Sequence, residues 1–176
     1  YTVEGINKRN NFVNLVLVNF IGMNAMVMVN GIFSLYVFIE VAAVSSFILI
    51  AMNRQKYALE GAFRYLILSA VASVLMLFAI AIFFFISGDT SFAAVQAAVK
   101  AQSSSIYVKA AMVMLLAGLF IKSGIVPFHG WLPDVYSESP APVSILLAGI
   151  VTKVSGVYVL IRLMYYVFGM SPAIQK

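Results

Sequence analysis

The sequence predicts an all-helical integral membrane protein with five transmembrane crossings, one of them a broken helix. Hydrophobic residues make up 63% of the chain and charged residues only 10%, whereas a soluble domain carries about 25% charged residues. The mean hydropathy is +1.03. Apolar segments recur that approach or exceed the roughly 20 residues needed to span a bilayer, and short polar or turn-forming segments separate them.

The first half of the chain predicts three crossings. Two helices, over residues 12–29 and 33–52, meet at the turn signal Asn30-Gly31. The polar segment 53–60 should lie in water or at the interface, and a third helix should follow over residues 61–86. Beyond it, residues 91–101 have apolar positions at helical spacing, with Ser91 as a candidate N-cap. They predict a short helix along the interface.

The fourth crossing is predicted to be broken. Residues 106–121 are apolar apart from Lys109, yet they are short for a crossing at about 1.5 Å per residue. Interrupting signals follow over residues 122–127, and apolar character then resumes. Broken helices are tolerated at membrane depth only inside protein or beside water, and in transporters they often mark the working site. A fifth helix is predicted over residues 142–168.

This organisation predicts a polar N-terminal tail (1–10), a five-helix translocation unit (11–168) and a C-terminal tail (169–176). Positive charge is denser on the side of the N-terminal tail and the 53–62 loop. Because cytoplasmic loops are enriched in Lys and Arg, we expect that side to be cytoplasmic and the protein to reside in the cell's inner membrane. That side carries Lys8, Arg9, Arg54, Lys56 and Arg64, and the other carries Lys100, Lys109, Lys176 and possibly Arg162.

Three ionisable residues fall at predicted membrane depth, namely Glu40, Lys122 and Lys153. Each costs roughly 2.5–3.5 kcal/mol on insertion scales, so such residues are rare and usually functional. Glu40 and Lys122 could alternatively reach an interface from a helix end, whereas Lys153 is far from both ends of its helix. In an α-helix Gly149, Thr152 and Gly156 would share the face of Lys153, which predicts that this face is turned toward the protein interior.

The residue types favour proton transfer over covalent chemistry. A buried Lys tends to lose its proton, and a nearby carboxylate restores it, so a chain of such sites makes a proton relay. His129 and Asp134 flank Trp131, but no Ser nucleophile motif or second His accompanies them. His129 is therefore interpreted as a proton-path residue or as a structural hydrogen-bonding group. The chain has no Cys, and no cofactor or metal is expected.

The residues around the predicted break resemble a known family. The run Phe-Ile-Lys-Ser-Gly-Ile-Val-Pro-Phe-His-Gly-Trp-Leu-Pro-Asp, from Phe120 to Asp134, is similar to the signature of the antiporter-like subunits of respiratory complex I. The same family includes Mrp cation/proton antiporters and membrane-bound hydrogenases. The segments at 35–40, 139–144 and 152–158 continue the resemblance, which covers about residues 11–168. It extends only over the first of the two inverted five-helix repeats of such subunits.

The resemblance implies roles for individual residues. Glu40 would be the family's essential glutamate, and Lys122 the lysine at the helix break, with which Glu40 forms a tunable ion pair. Lys153 would relay the proton onward. Arg64 matches a basic residue that many members carry at the start of a helix, and Ser123 and Pro127 belong to the signature at the break.

The sequence thus predicts proton or cation/proton translocation within a redox-driven or antiporter complex. The expected partners are other membrane subunits, the lipid bilayer, protons and possibly sodium, but not nucleic acid. Any redox chemistry would belong to partner subunits, since the chain shows no recognisable redox or hydrolytic site. Two alternatives remain open, a non-conducting structural subunit of the same assembly and an unrelated secondary transporter.

Overall fold

A computed structural model describes residues 3–52 and 56–169. It confirms the predicted all-helical membrane fold, with five helices long and apolar enough to cross a bilayer. We number the helices in chain order. They are α1 (Val3–Met28), α2 (Ile32–Ala51), α3 (Lys56–Ser87), α4 (Phe92–Ala101), α5 (Ile106–Ser123), α6 (Leu132–Glu138) and α7 (Ala141–Tyr166).

Two helices extend into segments that the sequence predicts to be polar. Helix α1 begins at Val3, within the predicted N-terminal tail, and α3 begins at Lys56, within the predicted 53–60 loop. Apolar side chains in the second segment explain the difference, because Ala58 continues the buried face of α3. Arg54, Lys176 and most of the predicted C-terminal tail lie outside the described residues.

The turn between α1 and α2 is joined to the turn between α3 and α4. The Ile32 amide donates to the Thr90 carbonyl at 2.8 Å, and the Phe92 amide donates to the Asn30 carbonyl at 3.1 Å. Ser91 is the N-cap of α4, as predicted, and its hydroxyl accepts from the Ala94 amide at 3.4 Å. These contacts fix α4 across the ends of the first three crossings.

Asp89 completes this turn outside the membrane-spanning segments. Its carboxylate accepts hydrogen bonds of 2.6 Å from the Ser91 hydroxyl and of 2.6 Å from the Thr90 amide. These two donors lower the pKa of Asp89 below its usual value, because they stabilise the ionised carboxylate.

The predicted break follows α5. Gly124 has a left-handed φ of +62° and ends the helix, while the Ile125 amide donates back to the Phe120 carbonyl at 3.0 Å. This is a Schellman-type ending. The Trp131 indole, in a short 3₁₀ turn, donates to the Ile121 carbonyl at 3.3 Å. The chain then continues into α6, so carbonyl groups exposed by the break find partners within the protein.

The buried apolar side chains form two clusters along the membrane axis. One, near the α1–α2 turn, includes Ile39 of α2, Met76 of α3 and Leu119 of α5. The other includes Leu49 of α2 and Tyr65 of α3, together with Trp131. The two clusters therefore succeed one another along the same helices, with a polar layer between them.

Arg162 of α7 binds the end of α1. Its guanidinium donates to the carbonyls of Met26 and Val29 and lies 5.1 Å from the ring centroid of Phe92. Carbonyls at a helix C-terminus carry partial negative charge, so a cation is favourable there. Arg162, for which the sequence indicates only possible snorkelling, thus joins α1, α4 and α7.

We predict that Arg162→Ala lowers the thermal stability of the subunit, because helix-end carbonyls lose a charged donor. The expected loss is about 1.5–3 kcal/mol for each hydrogen bond removed. Melting temperatures of the purified variants test this, with Lys109→Ala as the matched control because Lys109 is an exposed cation on α5. Equal melting temperatures for the two variants would show that the contacts of Arg162 do not stabilise the protein.

Candidate functional site: a charged pair at a helix break

Glu40 and Lys122 form an ion pair in the polar layer between the two apolar clusters. The Lys122 ammonium lies 2.8 Å from a carboxylate oxygen of Glu40, and their side chains are 2% and 26% exposed. The predicted approach of these residues is confirmed. Because the ammonium is buried while the carboxylate is partly exposed, the charge of Lys122 depends on Glu40 for compensation.

Two hydroxyls of α3 complete the cluster. Lys122 donates to the Ser69 hydroxyl at 2.7 Å, and the Ser73 hydroxyl donates to the same Glu40 oxygen at 2.6 Å. Ser69 and Ser73 are four residues apart and therefore lie on one face of the helix. The sequence analysis missed both, although hydroxyl residues at this spacing in an otherwise apolar helix are a detectable signal.

A glycine brings α5 close enough to α3 for these contacts. A Cβ at Gly118 would lie 2.9 Å from the Ala72 carbonyl oxygen and 2.5 Å from the Met76 side chain. Gly118 is one turn before Lys122 on the same helix. The close approach therefore places the Lys122 side chain beside the serines of α3.

Lys122 also borders a small cavity that reaches α7. The cavity volume is about 10 Å³, close to the roughly 10–15 Å³ that one water needs. Hydroxyl groups contribute to its walls, and the Tyr136 hydroxyl donates to Thr152 at 3.5 Å. The residues that line it are Ile50, Tyr65, Lys122, Trp131, Tyr136, Leu147, Val151, Thr152 and Ser155.

Lys153 is exposed on the surface of the five-helix unit, so its burial against protein stays a prediction, whereas the predicted common face with Thr152 and Gly156 is wrong. Thr152 and Gly156 are buried, whereas Gly149 and Lys153 are exposed. The cause is local winding, because α7 is a π-helix over Leu147–Val151 and again over Lys153–Tyr158. The wider turn changes which residues share a face, and π segments are frequent at functional sites.

Gly156 carries the contact between α7 and the end of α5. A Cβ at this position would lie 2.2 Å from the Cβ of Ser123. Ser123, a residue of the predicted signature, uses its hydroxyl within its own helix and donates to the Leu119 carbonyl at 2.6 Å. The contact brings the π segment of α7 against the residue that follows Lys122.

The other predicted residues lie outside this cluster. His129 and Pro127 are exposed on the surface of the unit, next to the break. Arg64 is exposed and pairs with Asp134 of α6 and, at 2.8 Å, with Glu60. Such exposed pairs contribute little stability, but the Arg64–Asp134 pair joins the start of α3 to the helix beyond the break.

The arrangement is suited to moving a proton between oxygen and nitrogen atoms at membrane depth. Glu40 can carry a proton or a negative charge, and Lys122 can carry a positive charge or none. A charge on either group is stabilised by the opposite charge on the other, so the two are best described as one unit. The cavity lies between Lys122 and α7, and its walls are mostly apolar with a few hydroxyl groups.

The fold and the site define a multi-pass helical membrane protein with a charged pair at a helix break. Residues 29–176 match the family described as "NADH:quinone oxidoreductase/Mrp antiporter, TM". The chain belongs to this family, which confirms the resemblance seen in the sequence.

Individual relatives agree with this assignment. The chain is 34% identical over 160 residues to NADH-quinone oxidoreductase subunit N of Desulforudis audaxviator (strain MP104C), covering 91% of this chain and 32% of the relative. The chain therefore spans about a third of the length of the curated relatives that it matches.

Solved structures show the same fold. The chain superposes with a TM-score of 0.80 and 27% identity on a chain of the membrane-bound sulfane sulfur reductase, an archaeal respiratory membrane complex, covering 86% of this chain and 31% of that one. A chain of the Mrp complex from Dietzia sp. DQ12-45-1b gives a TM-score of 0.78 at 27% identity, covering 88% and 29%. The chain is thus similar to membrane subunits of multi-subunit complexes.

We predict that Gly156→Ala disturbs the contact between α7 and α5, because the added methyl overlaps Ser123. Overpacking of this kind costs about 1–3 kcal/mol, and the melting temperature should fall. Gly130→Ala is the control, since a Cβ there has no neighbour within 4 Å. Ser123→Gly should restore only part of the stability of the Gly156→Ala variant, because the added Cβ would still lie 2.9 Å from the Cα of residue 123. Equal melting temperatures for Gly156→Ala and Gly130→Ala would argue against direct overlap.

Proposed function

We propose that this chain provides the first half of a proton path in a longer membrane subunit. Protons pass through Glu40 and Lys122 and then reach Lys153. The observation that carries the proposal is the buried ion pair at the helix break, with its ammonium only 2% exposed. A charge this deep in an apolar unit is costly, and such residues usually mark ion or proton pathways.

The step from Lys122 to α7 uses hydroxyl groups and water. Thr152 and Ser155 line the cavity beside Lys122, and Thr152 is the chain neighbour of Lys153. One water in the cavity would connect the ammonium to these hydroxyls, which can both donate and accept. The proton then leaves the interior of the unit on the helix that carries Lys153.

Lys153 hands the proton to protein that is not part of this unit. It lies near the middle of the crossing Ala141–Tyr166, and its side chain is exposed on the unit's surface. A cation at that depth requires polar surroundings. In the complete subunit, the exposed face of Lys153 and Gly149 therefore contacts the remaining helices or another membrane subunit, which receive the proton.

Three further residues support this path near the helix break. His129 exchanges protons at the exposed end of the break, and Pro127 keeps the chain from continuing as a helix. Arg64 ties α6 to α3 through Asp134.

The transported ion is a proton, with sodium/proton exchange as the variant to be tested by replacing sodium in the assay.

The main alternative is a structural subunit that keeps the fold but does not conduct. Membership of the family leaves no place for an unrelated secondary transporter. Redox chemistry, if it drives translocation, takes place in partner subunits.

A relay predicts that Lys153 must be able to release its proton. Lys153→Ala should abolish proton translocation by the complex in reconstituted vesicles. Lys153→Arg should also fail, because a guanidinium stays charged across the accessible pH range and does not release its proton. Lys109→Ala serves as the control for loss of a positive charge.

Full pumping by the Lys153→Ala variant would refute the relay and favour the structural alternative. Glu40→Gln tests the earlier step, since it removes the counter-charge of Lys122. Transport should be impaired while the variant still assembles into the complex, because the side chain keeps its size.

We also propose that the protein lies in the inner membrane with its N-terminal tail and the 53–62 segment on the cytoplasmic side. The basic residues Arg9, Lys56 and Arg64 near these segments support this orientation. A Cys introduced at Gln55 would be unique in this chain, which has none. It should react with a membrane-impermeant thiol reagent from the cytoplasmic side alone, and labelling from the outside would reverse the orientation.

A further inference from the structure

We infer that Ser69 and Ser73 of α3 are positioning residues that bias the shared proton of the ion pair toward Lys122. The inference rests on the proposed relay, because it concerns the same pair. Ser69 accepts from Lys122 at 2.7 Å, and Ser73 donates to Glu40 at 2.6 Å. An acceptor stabilises the ammonium and a donor stabilises the carboxylate, so both hydroxyls favour the ionised pair.

Ser73 also has a second acceptor. Its hydroxyl oxygen lies 2.7 Å from the Ser69 carbonyl oxygen and 2.6 Å from the Glu40 carboxylate, but a hydroxyl has only one hydrogen to donate. While Glu40 is ionised, that hydrogen points to the carboxylate. When Glu40 is protonated, the hydrogen can turn to the carbonyl, and the Ser73 oxygen can accept from the new O–H group.

The proton balance of this step is simple. One N–H bond of the Lys122 ammonium breaks and an O–H bond forms on Glu40, which converts an ion pair into a neutral amine and a neutral carboxylic acid. Ser69 can then donate to the free electron pair of the amine. The two hydroxyls therefore serve both forms, and each does so by rotating its hydrogen.

Helix α3 places these hydroxyls in the polar layer between the two apolar clusters, beside the ion pair. Ser69 is buried and Ser73 half-buried, between Tyr65 in one apolar cluster and Met76 in the other. The titratable groups that interact with Glu40 in the described part of the chain are Lys122 from α5, Tyr65 from α3 and Tyr36 from α2 itself. Both tyrosines stay neutral at ordinary pH, so the serines act on the pair alone.

The experiment measures where the proton resides rather than whether it crosses the membrane. The full-length subunit in its complex is titrated by infrared difference spectroscopy, which detects the carbonyl band of a protonated carboxylic acid. Glu40→Gln identifies the band of Glu40 by removing it. Ser73→Ala should move the appearance of that band upward by about one pH unit, a roughly tenfold change in the protonation equilibrium.

Matched variants separate hydrogen bonding from packing. Ser73→Thr keeps the hydroxyl and should titrate like the wild type, whereas Ser73→Cys has a weaker donor and should shift in the same direction as alanine. Ser69→Ala should increase the amplitude of the band at neutral pH, because the ammonium loses an acceptor and the neutral pair becomes more populated. Ser87→Ala is the control on the same helix, since that hydroxyl donates to the Phe83 carbonyl and not to the pair.

An unchanged midpoint in the alanine and cysteine variants, or an equal shift in alanine and threonine, would overturn the inference. If the alanine variant does not assemble, the cysteine variant decides the question. Failure of this inference and failure of the relay can be told apart. Should Lys153→Ala pump fully while the serine variants shift the band, the proposed function fails but the positioning role stands.

Discussion

Burying the ammonium of Lys122 is the constraint on which the rest of this unit depends. The side chain is 2% exposed, and an uncompensated charge at that depth is strongly destabilising. Glu40 supplies the counter-charge and Ser69 an acceptor, while Gly118 lets α5 come close enough to α3 for both. The helix ends one residue after Lys122, and Trp131 binds a carbonyl of its last turn. The packing of α5 on α3, the position at which α5 ends and the compensation of charge therefore all involve the side chain of Lys122.

The break after α5 also determines which residues surround Lys122. A continuous α5 would occupy its own carbonyl groups and offer no polar route away from Lys122. Ending the helix at Gly124 instead brings Trp131 and Tyr136 back beside the ammonium, where they line the small cavity. The π segments of α7 supply the opposite wall, with Gly156 in contact with Ser123. The end of α5 and the π segments of α7 thus lie on opposite sides of the small cavity.

Much of this architecture could be predicted from sequence because hydropathy and helix-breaking residues act locally. The five crossings, the N-cap at Ser91 and the break after Lys122 follow from such signals, whereas the pairing of Glu40 with Lys122 is implied by the family resemblance. The separation of Lys153 from the buried face of Thr152 and Gly156 could not be predicted, since it depends on π winding and an α-helical wheel puts all three on one face. The roles of Ser69 and Ser73 depend on which helix face meets α5, which is a property of tertiary packing.

The distance along the chain between Glu40 and Lys122 matters before the protein is complete. The two residues are 82 positions apart, and ribosomes add about 5–20 residues per second. Glu40 is therefore synthesised on the order of ten seconds before its counter-charge. In that interval a protonated carboxyl is the less costly form in an apolar environment. The ion pair forms only when α5 arrives, so the nascent chain must then give up a proton or pass it to the arriving lysine.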